Sequence, residues 1–135
     1  MNLPRLISTT LAFIVWPAFA ADIHVFTDLA HPVHSVPPGV TVVELDAGER
    51  LENELSAGLP ADPAQAARLV QRRLEREGST LQHRLATAYQ GVTKAWVLGV
   101  SKIPAVVVDH RYVIYGEPDV GLALTSITRY RKAHP

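Results

Sequence analysis

Not one of the 135 residues is cysteine. Thiol–disulfide exchange needs a thiolate as nucleophile, so redox chemistry by thiols of this chain is excluded. A lipid-anchored form is excluded for the same reason, and so is a disulfide brace; the fold must rest on packing. An excess of one charge is also missing, with 13 Lys and Arg against 13 Asp and Glu. There is no Lys/Arg cluster interleaved with aromatics, so no nucleic-acid surface is expected. Arg68, Arg72, Arg73 and Arg76, spaced along one predicted helix, read as a solvated face. Phosphate-cradling glycine loop, nucleophile elbow and H-E-x-x-H zinc helix are all absent from the sequence, and no cofactor or enzymatic activity is expected.

Residues 1–20 have the pattern of a cleaved export signal: Arg5, an apolar stretch from Leu6 to Phe19, and Ala18-Phe19-Ala20 in small-x-small form. The apolar stretch is shorter than the roughly 20 residues of a spanning helix, and Pro17 disturbs its end. Export to the periplasm follows, with no membrane-spanning segment left after cleavage. Loss of Arg5 tips the even charge balance to about −1. Residues 21–135 then suit one small domain with one core.

Ile23-His24-Val25-Phe26 alternates as a strand, and the proline-rich stretch Thr27 to Gly39 is a loop. Val40 to Leu45 is a second strand, ended by Asp46 as the cap of a helix whose buried stripe holds Leu51 and Leu55. Asp62-Pro63 starts another helix, with proline where its missing N–H costs nothing. Gly78 closes that helix, and Ser79-Thr80-Leu81-Gln82 resembles a capping box for a third. Its apolar face carries Leu81, Leu85, Ala88, Tyr89, Val92 and Trp96, and Gly91 within it reads as a kink. Tyr89, Trp96 and Tyr112 are expected in the core.

Ile103-Pro104 leads into the β-branched run Val106-Val107-Val108, which predicts a strand buried on both faces at the sheet centre. A proline at a strand mouth is tolerated at the first strand position or in a special turn, and a cis-proline loop is such a turn. Tyr112 to Tyr115 forms a hairpin with this strand. The last helix runs from about Val120 to Arg131, capped by Asp119, with Ala123, Leu124, Ile127 and Tyr130 facing inward. The loop between the first two strands is long enough for a parallel crossover, while the final pair is antiparallel. The predicted fold class is therefore α/β in the α+β sense, a four-stranded mixed sheet with packed helices.

Helix, proline-led strand, hairpin strand and helix in this order resemble the closing half of a thioredoxin-like domain. In that superfamily the C-x-x-C motif follows the first strand and faces a cis-proline loop. Here that place falls on His31-Pro32-Val33-His34, and Ile103-Pro104 matches the dipeptide ending in the cis-proline. A proline-rich loop replaces the helix that normally follows the motif. More closely, the chain resembles a family of small exported proteins encoded within integrative conjugative elements of proteobacteria. The phrases concerned are Val25-Phe26-Thr27-Asp28 with Ala30-His31-Pro32, Glu44-Leu45-Asp46-Ala47, Leu55 to Pro60, Ala88 to Gly91, Lys102 to Val107 and Tyr112 to Glu117. The resemblance implies a role in a type IV secretion apparatus that moves DNA between cells, with protein components of its channel or pilus as partners. It carries over no catalytic residue.

Partner binding is expected where His31, Pro32 and His34 meet Ile103 and Pro104, because backbone at Ile103 without ladder bonds can pair with an extended peptide. The alternative is a metal-binding protein using His31 and His34 as imidazole ligands. A closed site needs further ligands, for which Asp28, His24 and His110 are the candidates. Histidines in a proline-rich loop also occur as ordinary polar residues. Asp109, His110 and Arg111 read as a turn.

Overall fold

The computed structural model describes residues 21–135; the export-signal reading of residues 1–20 lies outside the described residues. Two strands come first, β1 (Ile23–Thr27) and β2 (Thr41–Glu44), followed by α1 (Ala47–Ser56) and α2 (Pro63–Val97). A hairpin of β3 (Ala105–Val108) and β4 (Tyr112–Tyr115) leads to α3 (Val120–Ala133). The sheet order is β2-β1-β3-β4, with β1 and β2 parallel and the other pairs antiparallel. This is the mixed four-stranded sheet that the sequence predicts, and it makes the fold α+β. All four residues of β3 are buried, as a β-branched run at the sheet centre requires.

Alternation along the central strands divides the core into two layers. Val25, Val106 and Val108 face α3 and pack with Val120, Ala123 and Ile127. Phe26, Ala105 and Val107 face the other way, against Ala95 of α2, with Val43, Leu98 and Ile103 closing around them. Phe26, Val25, Val106 and Val120 are fully buried, each contributing about 1.5–3 kcal/mol of transfer free energy.

Local chemistry sets most helix ends. The Asp62 carboxylate accepts a hydrogen bond from Gln65 N at 2.8 Å, and Asp119 accepts from Leu122 N at 3.0 Å. Asp46 corrects the sequence reading: it precedes α1 but makes no side-chain cap, its Oδ2 instead accepting from Leu29 N at 3.3 Å and Arg50 Nη1 at 3.4 Å. That carboxylate ties the β1–β2 loop to α1. The predicted second and third helices follow one another along α2 and meet at Gly78, where the sequence reading divides them. The kink there has φ 46° and ψ −125°, outside the helical region and open to glycine.

The apolar face of α2 follows the expectation at Leu81 and Ala88 and departs from it at Tyr89, Val92 and Trp96. Leu81, Ala88 and Ala95 are buried, whereas Trp96 is 81 % and Val97 70 % exposed. The cause is close approach: a Cβ at Gly91 would stand 2.6 Å from Val43 Cγ1. Small residues let the helix backbone settle on β2, leaving the large side chains facing outward. Gly91 therefore marks a contact and no kink. Tyr89 is half-exposed, its hydroxyl donating to Glu52 Oε1 at 2.6 Å. Tyr130 on α3 is also outside the core, stacked on His134 with ring centroids 4.3 Å apart. Tyr112 is half-buried against the α3 layer.

Candidate functional site

The loop after β1 is built on its own side chains. Buried Thr27, the last residue of the strand, donates its hydroxyl to the His31 carbonyl. Asp28 Oδ1 accepts from His31 N at 2.8 Å and lies 2.7 Å from His31 Nδ1. The side-chain hydrogen bond from His31 holds the Asp28 carboxyl below the usual carboxylate range. Farther along, His34 N donates to Pro118 O at 2.9 Å and Val120 N donates to His34 O at 3.0 Å, joining the loop to the start of α3. His34 Nε2 stands 3.5 Å from Asp119 Oδ2, which also accepts from Ser35 Oγ at 3.0 Å. Asp119 is held low in pKa first by the Leu122 N–H that it caps. The two imidazoles thus turn to different carboxylates. Among the described residues no group of three ligating side chains includes His31 or His34.

Ile103 and Pro104 enter the sheet at the end from which this loop leaves. Phe26 pairs with Ala105, so the register places Thr27 beside Pro104. Pro104 is buried, its carbonyl accepts from Gly116 N at 2.8 Å, and the Ile103–Pro104 bond is cis. The Ile103 side chain packs onto the α2-side core. Its backbone N–H and C=O have no backbone partner among the described residues, nor do those of Lys102. Nearby, Tyr115 Oη reaches Gly99 O at 3.4 Å and Ser101 N at 3.5 Å. The register sets the root of the loop beside Pro104, and no hydrogen bond joins His31, Pro32 or His34 to Ile103 or Pro104.

At the opposite end of β1 the structure gathers His24 and His110, which the sequence offers only as scattered candidates, with Asp22, which it does not single out. Asp22 N donates to Asp109 Oδ1 at 3.1 Å, and Asp109 N donates to Asp22 O at 2.8 Å, so the β3–β4 turn is clamped to the start of β1. Asp109 and His110 both take positive φ, 51° and 55°, in a turn closed by Arg111 N donating to Val108 O at 3.1 Å. This swings His110 across Asp22, with Nε2 2.7 Å from Oδ2. His24, 4 % exposed, reaches the other oxygen with Nε2 2.8 Å from Oδ1, while the two rings lie 6.2 Å apart.

The His24–Asp22 contact is close, yet neither buried His24 ring nitrogen has a hydrogen-bond partner of good geometry. Burial lowers the His24 pKa more than Asp22 raises it, and Lys94 of α2 adds to the lowering. Burial works against the Asp22 carboxylate, but His24 and His110 outweigh it and hold its pKa low. Asp22, His24 and His110 are the one group of three potential metal ligands among the described residues, all three ligating atoms lying within 4.8 Å of one another. The signal available in sequence was the β1–β3 register, which sets Ile23 opposite Val108 and hence Asp22 opposite the turn.

Comparison with known proteins adds one finding. The model of the family described as Protein of unknown function (DUF1525) matches residues 20–133, and the chain belongs to that family. No curated protein matches the chain, and no solved structure does.

Proposed function

We propose that this member of the DUF1525 family is a non-catalytic, exported, thioredoxin-like protein that acts by binding another protein in the periplasm. Its setting is the transfer apparatus of an integrative conjugative element, where it serves as an accessory or assembly component of the type IV secretion channel or pilus. The conjugative setting draws on the sequence phrases from Val25-Phe26-Thr27-Asp28 to Tyr112-Val113-Ile114-Tyr115-Gly116-Glu117. The thioredoxin-like reading draws on the strand order, with a proline heading the central antiparallel strand beside the loop that follows β1.

One observation carries the binding mode: the backbone of Lys102 and Ile103 has no ladder partner at the mouth of an otherwise paired strand. Unpaired N–H and C=O groups at a strand end are a template for an extended segment, which gains main-chain hydrogen bonds there. The exposed side chains of His31, Pro32 and Lys102 would contact the docked segment. With no cysteine in the chain, such a segment is held by non-covalent contacts, without thiol exchange.

The test is recovery of envelope partners from cells carrying the element, comparing wild type with Ile103→Asp and Lys102→Pro. Ile103→Asp puts a charge beside the half-buried edge, whereas Lys102→Pro removes one backbone donor without disturbing the core. A circular-dichroism melt checks that each variant folds. Loss of the same transfer-apparatus protein from both folded variants is the expected result. Equal recovery from wild type and Lys102→Pro removes the proposed edge.

A further inference from the structure

We propose that Asp22, His24 and His110 form a binding site for a divalent transition-metal ion of the zinc class. Two imidazoles and one carboxylate are a donor set that zinc takes readily, with bonds of about 2.0–2.2 Å and remaining positions filled by water or an added ligand. The three side chains come from the start of β1, from β1 itself and from the β3–β4 turn, so the fold and not sequence proximity assembles them.

The buried histidine is the second, independent indication of a ligand. Interior polar atoms are almost always paired, because an unsatisfied one loses its hydration with nothing in return. His24 is 4 % exposed, and both of its ring nitrogens lack a hydrogen bond. Its Nε2 nevertheless points to the cluster, 2.8 Å from Asp22 Oδ1. A cation between them would occupy the imidazole lone pair and the carboxylate together.

Backbone geometry holds the other two donors in place. Reciprocal bonds between Asp22 and Asp109 fix the carboxylate's backbone, and Arg131 Nη1 holds Asp109 Oδ2 at 3.0 Å. Tetrahedral donors around zinc stand about 3.3 Å apart, slightly more than the 2.7 and 2.8 Å between the rings and Asp22. Asp22 and His110 are half-exposed and free to spread by that amount, while His24 stays fixed in the sheet. Lys94 on α2 is the like-charged group that acts on this ring and opposes a cation there. The site lies at the other end of β1 from Ile103, so it stands or falls separately from the binding edge.

Zinc calorimetry on tag-free protein, stripped with chelator and then dialysed, tests the assignment. The comparison set is wild type, His110→Ala, Asp22→Ala and the double variant His31→Ala/His34→Ala. His110 and Asp22 are exposed enough that their replacement leaves the core intact, and a melt of each confirms it. The expected result is one zinc per chain, affinity at least about tenfold weaker in His110→Ala and Asp22→Ala, and no change in the loop double variant. A zinc-dependent rise in melting temperature should follow the same order. Absence of saturable binding to wild type, or binding that His110→Ala leaves intact, overturns the proposal.

Discussion

Replacing Gly91 by alanine tests how α2 is seated on the sheet, because two opposing effects of known size meet at one atom. In an exposed helix, Gly→Ala stabilises by about 1 kcal/mol through backbone entropy. Here the new methyl would lie 2.6 Å from Val43 Cγ1, well inside the 3.4–4 Å of ordinary contact. Valine is stiff at χ1 and Val43 is paired to Phe26 in the β1–β2 ladder, so it cannot swing aside. Overpacking of this kind costs about 1–3 kcal/mol. The clash therefore wins, and Gly91→Ala should destabilise by about 1 kcal/mol, lowering the melting temperature by about 4 °C. Urea and thermal unfolding followed by circular dichroism measure this. A double-mutant cycle isolates the cause: Val43→Ala removes the obstructing methyls, so the double variant should recover about 1–2 kcal/mol relative to additivity. Stabilisation by Gly91→Ala alone, with no coupling to Val43, would refute the close-approach account of why Trp96 and Val97 face outward.

Three further outcomes follow from the structure. His24→Leu should gain stability over wild type as pH falls from 7.5 to 5: the unfolded wild type takes up a proton near pH 6.5, while burial, opposed by Asp22 and helped by Lys94 and His110, keeps the folded ring from doing so. Stability carried by a lowered pKa is present above the unfolded value and lost below it, and a pH-independent difference in urea midpoints would contradict this. Trp96→Ser, at an 81 % exposed position, should change stability by no more than about 0.5 kcal/mol; a core-sized loss in the same melt would return Trp96 to the interior. Asp119→Ala removes the cap on Leu122 N and the contacts to Ser35 and His34. It should cost about 1 kcal/mol, and proteolysis should then cut the loop after β1 faster than in wild type.

Elements governed by local chemistry were the legible ones. Val106-Val107-Val108 reads as a central strand because burial on both faces leaves no polar alternation, and Asp62 and Asp119 read as caps because each carboxylate needs only a backbone N–H three residues on. Choices made by tertiary contact were not. Trp96 gave way to Ala95 as an inward position once Gly91 drew the helix onto Val43. Asp46 lost its cap to Leu29 and Arg50, partners supplied by the folded loop and the next helical turn. His31 and His34 share a loop, but Asp28 and Asp119 pull them apart. The Asp22, His24 and His110 group was hidden because its residues meet only after β1 and β3 pair in register.

The binding claim is tested most directly by a photo-crosslinking amino acid placed at Lys102 in living cells that carry the conjugative element, with Trp96 as the comparison position. A covalent adduct of Lys102 with one component of the transfer apparatus, much weaker at Trp96, is the result the account predicts. Adducts at Trp96 with none at Lys102 would contradict it and move the working surface to the outer face of α2.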